Sequence, residues 1–227
     1  MVRTLFAVCL GLGLAMALGG NTVGAPKSEH KYVGVRRCSS CHKKELIGDQ
    51  YAKWMDARHA KAFESLKSEE AIKLAKEKGI EGPPHEAGEC LKCHATAYGL
   101  KPEQMGRRPL ELSNGVQCES CHGPGQDYRR KRVMADHEKS LAAGLWLPGE
   151  DETICTECHN QDATGWDPQK YELSDGSKVG FDFEQAKKKI AHPIPEEVKG
   201  KYLEVERRVR AERRARGEAV EEEEEEE

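Results

Sequence analysis

Apolar side chains at Leu46, Ile47, Tyr51, Trp54, Ala57, Phe63 and Leu66 recur mostly three and four residues apart, which predicts helix across residues 43–66. Ser68 is placed to cap a following helix, with Glu69 and Glu70 in its first turn, Lys76 and Lys78 in its last and Gly79 as its stop. Gly82-Pro83-Pro84 reads as a loop, residues 99–115 as loop-rich, and Gly123-Pro124-Gly125 as a sharp turn. Residues 127–143 read as helix. Asp182 caps another that runs to Ala191, ended by Pro193 and Pro195, and Pro195 opens a last, highly charged helix. Alternating apolar runs of strand type are scarce. The expected fold class is mainly α, with short helices, long loops and few or no strands.

Composition makes that fold hard to hold together by protein alone. Only 37% of the 227 residues are hydrophobic, just four are Phe, and 33% are charged. A chain with so little apolar surface needs something else to bury.

The candidate is written in the cysteines. Eight of nine lie in four copies of Cys-x-x-Cys-His, at Cys38 to His42, Cys90 to His94, Cys118 to His122 and Cys155 to His159. This is the attachment signature of c-type haem. Each thiol pair (Cys38 and Cys41, Cys90 and Cys93, Cys118 and Cys121, Cys155 and Cys158) forms thioethers to one porphyrin. The adjacent histidine, His42, His94, His122 or His159, supplies an axial ligand to iron. Structural zinc would use four thiolates per site and has no need of a histidine after every second cysteine. A thioredoxin-like site would sit in a βαβ pattern, which is absent here. Four haem c groups are therefore expected, each a flat apolar plate that supplies core surface, with folding coupled to cofactor binding. The motifs start 52, 28 and 37 residues apart, too irregular for a solenoid.

The ends of the chain add location. Met1-Val2-Arg3 and the apolar run from Leu5 to Leu18, then small residues to Ala25, have the form of a secretory signal too short to span a bilayer comfortably. Cys9 lies inside it. We expect a signal peptide over 1–25, a tetrahaem domain over 26–197, and a charged helix with an acidic tail over 198–227. Arginines 207, 208, 210, 213, 214 and 216 precede Glu218 and Glu221 to Glu227, so the formal charge of −4 sums a mildly basic body and a solvated tail. Export to the periplasm fits thioether attachment, argues against a nucleic-acid partner for the basic run, and leaves nothing else to insert in a membrane.

Four irons need further axial ligands. Spare candidates are His30, His59, His85, His137 and His192, with Met55, Met105 and Met134 as alternatives. If residues 42–59 form one continuous helix, His59 stands roughly 26 Å from His42 and serves a different haem. His30, near the chain's start, and His85, in a loop, read as non-ligands.

Val33-Gly34 before the first motif, Trp54, and His59-Ala60-Lys61-Ala62 resemble the tetrahaem cytochrome c-554 family. So do Cys90 to Gly99 and, most specifically, the block from Gly115 to Gly125. The resemblance spans residues 32–193. It implies a periplasmic electron carrier with four haems in close, partly stacked pairs, three of them ligated by two histidines. Carried onto this chain, the distal ligands would be His59, His137 and His192. His192 would serve the first haem, and His59 and His137 would divide the third and fourth between them. The second haem would keep an open iron face; His85, which has no family counterpart, is the residue that would close it. The expected partners are a periplasmic oxidoreductase as donor (in that family, a hydroxylamine-oxidising enzyme) and a membrane-associated or soluble acceptor. The rival reading is a reductase of a small nitrogen species such as nitric oxide at the second haem, or a haem subunit of a larger reductase. The sequence favours carrier over enzyme and leaves oligomeric state open.

Overall fold

The computed structural model describes residues 30–218; the expected signal peptide and most of the glutamate tail lie outside these residues. Its α-helices in chain order are α1 Val35–His42, α2 Gln50–Asp56, α3 Ala62–Ser65, α4 Glu69–Glu77, α5 Gly88–His94 and α6 Cys118–His122. They continue as α7 Lys131–Met134, α8 His137–Ala142, α9 Thr153–Thr156, α10 Phe183–Ile190 and α11 Tyr202–Ala215. Three single 3-10 turns stand at Glu45–Ile47, Pro102–Gln104 and Leu112–Asn114. Among the described residues the one sheet is an antiparallel hairpin of β1 Tyr171–Glu172 and β2 Lys178–Val179. The fold is mainly α, as the hydropathy pattern predicts.

Capping chemistry placed two helices correctly. Ser68 accepts from the Ala71 amide at 3.1 Å to open α4, and Gly79, at φ 70°, takes the left-handed conformation that ends it. Asp182 accepts from Gln185 at 2.7 Å to open α10, which ends at Ala191. Periodicity alone did worse. Residues 43–66 form a 3-10 turn and two separate helices, broken by Gly48 and Asp49 at positive φ and by extended Ala57. The continuous helix behind the 26 Å separation does not exist. Likewise the helix expected over 127–143 is two short ones, because Asp136 caps a new start with its carboxylate on the Lys139 amide at 3.1 Å. The last helix begins at Tyr202 and not at Pro195, after turns that include Gly200 at φ 71°.

Two small apolar clusters hold these pieces. Phe63, Leu66, Ala87, Cys90, Leu91 and Ala95 pack α3 against α5. Ile47, Val198 and Val205, flanked by Leu46, Tyr202 and Val209, seat α11 on the turn that follows α1. The charged C-terminal helix is therefore docked on the body of the protein. Glu206, 6% exposed, accepts from the Tyr202 hydroxyl at 2.8 Å and Lys131 Nζ at 2.5 Å, with Arg210 at 3.3 Å and Lys44 at 3.6 Å. Both clusters are thin for a chain of this length.

Candidate haem centres

Three of the four Cys-x-x-Cys-His motifs are themselves helices that end on the histidine: α1, α5 and α6. The fourth starts in α9 and finishes in the turn beyond it. A turn of helix sets the two thiols and the imidazole on one side, the arrangement that a single porphyrin requires.

The motifs are locked to one another by polar contacts. Glu119, fully buried inside the third motif, accepts from Gly34 N at 2.7 Å, Val33 N at 2.9 Å and Gly125 N at 2.7 Å. Gln117 Oε1 accepts from Val35 N at 2.9 Å. Together these two side chains pin the entry of α1 to α6. Burial pushes the Glu119 carboxyl up, against the opposing pull of the Gly125, Val33 and Gly34 amides and of the Arg129 charge. Thr96 Oγ1 accepts from the Gln117 amide at 2.7 Å and shares a hydrogen bond with Ser120 at 2.6 Å, which ties the end of α5 to α6. Neither Glu119 nor Gln117 was identified from sequence, although both sit in the most specific block of the resemblance.

Thiols from different motifs then meet. Cys38 Sγ donates to the Gly34 carbonyl at 3.9 Å, and its neighbour Cys118 raises the Cys38 thiol while its own is lowered. Cys158 is held protonated by its bond to Cys93, whose thiol falls to about 6. Burial pushes Cys121 to about 11, with the charge of Cys155 adding to it. The third motif thus neighbours the first, second and fourth, and the fourth also stands beside the second. The contacts are pairwise, one thiol from each motif, and among the described residues no group of three or more His, Cys, Asp or Glu forms a cage for a metal.

The histidines have the form that ligation needs. Burial lowers His42, His59, His159 and His122, the last to about 4, so each is neutral imidazole with a lone pair to give. His94 Nδ1 donates to the Ala62 carbonyl at 2.8 Å, His42 Nδ1 meets Gln50 Oε1 at 3.2 Å, and His192 Nδ1 donates to the Ile190 carbonyl at 2.8 Å. Fixing Nδ1 in this way presents Nε2 to a metal.

Two pairs of rings face each other. His59 and His159 have centroids 6.1 Å apart, and His122 and His192 are 5.9 Å apart. Two imidazoles bound on opposite sides of one metal, each at ~2.1 Å, would hold their centres roughly 6 Å apart. The residues present therefore fit a porphyrin iron with two axial histidines. His192 also influences His42 electrostatically, so it stands near both the first and third motifs. His137 opens α8, and among the described residues its ring has neither a hydrogen bond nor a ring partner. His85 packs edge-on against Phe63 at 6.3 Å and lies 3.8 Å from Glu86. His30 is held by Asp127 at 2.5 Å. Among the described residues no second imidazole faces His94.

A family model described as cytochrome c554 and c-prime matches residues 37–123, from the first motif to the turn after the third. Cytochrome c-554 of Nitrosomonas europaea is 35% identical over 153 residues. Over these residues the chain is similar to the cytochrome c554 family. The match covers 60% of this chain and spans 60% of that relative's length. The solved structure of reduced cytochrome c554 from Nitrosomonas europaea aligns with 70% of this chain and 78% of its own, at 24% identity and a TM-score of 0.43. That similarity supports haem c, with its iron, as the cofactor. Among the described residues no helix is long and apolar enough to cross a membrane.

Proposed function

We propose that this protein is a periplasmic electron carrier of the cytochrome c554 type holding four haems, one at each motif, and that it relays electrons between a periplasmic oxidoreductase and a membrane-associated or soluble acceptor. When bound, the haem irons supply one-electron redox chemistry at potentials set by their axial ligands. The protein supplies spacing and environment. The observation that carries the reading is the interlocking of the motifs. Glu119 and Gln117 clamp the third motif to the entry of the first, Thr96 and Ser120 join it to the second, and Cys93 and Cys158 of the second and fourth line one pocket, so the four anchors form one connected group. Isolated redox centres would not need to touch.

The ring pairs support His59 as the distal partner of His159, and His192 as that of His122. The resemblance alone implied His192 for the first haem; the closer ring is that of the third motif. His137 then remains for the first. His94 is steadied from behind by Ala62 and Ser65 of α3, and His85 packs against Phe63 of that same helix, which argues that His85 does not cap the second iron. An open second iron would be the place for the rival activity, reduction of a small nitrogen species.

Protein purified from a host competent in haem attachment tests the reading. The expected result is a mass increase of four porphyrins, a reduced α-band, and four reversible one-electron steps. Fewer than four porphyrins would overturn it. Carbon monoxide or nitric oxide binding at one haem, with turnover of nitric oxide, would replace transport by catalysis.

A further inference from the structure

Beside the junction of α1 and α6 lies a cavity of about 440 Å³ whose lining includes none of the motif cysteines or histidines. Val35 and Leu110 give it an apolar floor, and Arg36, Arg37, Arg108 and Glu111 stand at its rim. Glu111 pairs with Arg36 at 3.6 Å, both side chains largely in solvent, and the Arg108 guanidinium adds positive charge at the same rim. Gln117 lines the same cavity and is 1% exposed. Its Oε1 is committed to the Val35 amide at 2.9 Å, which fixes the orientation of the side-chain amide. Its Nε2 then carries two buried hydrogens and has no acceptor among the described residues. A buried donor left without a partner costs about 1–3 kcal/mol, so native proteins rarely keep one. What the site lacks is an oxygen acceptor, and the surrounding charge favours a negative one.

We propose that this cavity binds a small carboxylate, its oxygens taken by Gln117 Nε2 and the Arg108 guanidinium and its carbon body laid on Val35 and Leu110. The carboxylate has two sources, a dissolved organic acid or a carboxylate of one of the haems. Either places negative charge next to Cys38 and Cys118. On the haem reading above, occupancy lowers the potentials at the first and third motifs, because an anion stabilises oxidised iron; binding itself does not depend on that reading.

Calorimetry of the full-length holo-protein with succinate at low ionic strength tests the site, using wild type, Arg108→Ala and Gln117→Glu. The Gln117→Glu change keeps the acceptor for Val35 and replaces the donor by a repelling charge. Saturable binding that weakens at least tenfold in both variants supports a dissolved ligand. A crystal structure of the holo-protein, grown in buffer free of carboxylates, provides the second arm. No succinate binding, with a haem carboxylate in hydrogen-bond contact with Gln117 Nε2, supports the cofactor as source. Equal succinate binding in all three proteins overturns the proposal. So does a cavity that holds only water in a protein that does not bind succinate. Loss of porphyrin from the mass spectrum would sink the haem reading instead, and is distinguishable from either result.

Discussion

Glu119 is the residue on which the arrangement of the first and third motifs depends most. Its carboxylate accepts three backbone N–H groups, from Val33, Gly34 and Gly125, at distances of 2.7–2.9 Å in a site with 0% exposure. Replacing Glu119 by Ala removes every acceptor at once. Each orphaned buried amide costs about 1–3 kcal/mol, and water entering the vacated volume recovers part of it, so the expected loss is about 4 kcal/mol. Glu119→Gln keeps one oxygen and turns the other into a donor facing amide hydrogens, for a loss of about 2 kcal/mol. Against a typical domain stability of about 5–15 kcal/mol, the first change is severe. Urea unfolding of the holo-protein, followed by far-ultraviolet circular dichroism, measures both. With a slope of about 2 kcal/mol per molar, Glu119→Ala should lower the midpoint by about 2 M and Glu119→Gln by about 1 M. A midpoint shift below about 0.5 M for Glu119→Ala would show that the clamp is dispensable. A Gln variant less stable than the Ala variant would show that repacking outweighs hydrogen bonding there.

Gly115, at φ 62°, lies so close to the loop carrying His59 that an added Cβ would stand 2.7 Å from the His59 carbonyl and 2.8 Å from that of Ala60. Gly115→Ala should cost about 3 kcal/mol by thermal unfolding and, by moving His59, convert part of one haem to high spin in the paramagnetic resonance spectrum. His59→Ala and His192→Ala should each turn one haem high-spin and able to bind carbon monoxide, whereas His85→Ala should leave the spectrum unchanged. Glu206→Ala removes this carboxylate from Lys131 and Lys44, which are partly exposed and rehydrate, so the loss is about 2 kcal/mol and not the full penalty of a broken buried pair. Burial pushes that carboxyl up, but the Lys131 and Tyr202 hydrogen bonds and the Arg210 charge outweigh it and hold it below 4.5. A depressed carboxyl contributes stability above its unfolded value and loses it as pH falls through the folded one. Once the intrinsic pH dependence of exchange is divided out, amide protection in α11 should therefore fall below about pH 4.5 in wild type, and fall less over that range in Glu206→Ala.

What the sequence made legible follows from the range over which each signal acts. The Ser68 and Asp182 caps are contacts three residues long, and both helices appear where they place them. The apolar period across 43–66 is also local, but it reports which side chains are buried and says nothing of Gly48, Asp49 or Ala57 leaving the helical region. The hydrophobic surfaces there face separate clusters, Ile47 toward α11 and Phe63 toward α5, and one straight helix could not serve both. Cys-x-x-Cys-His is local as well, which is why the four motifs stand out from the residues alone. The order in which those anchors touch depends on contacts such as Glu119 to Val33 across 86 residues, and no spacing rule encodes them. Gln117 shows the same limit in the other direction. A glutamine beside a cysteine motif looks incidental until its amide proves to be buried, with one end committed to Val35 and the other unpartnered at an arginine-rimmed cavity. Thus the chemistry of this chain is written in short motifs, while the sequence of contacts by which electrons would pass from one motif to the next is written in buried polar side chains between them.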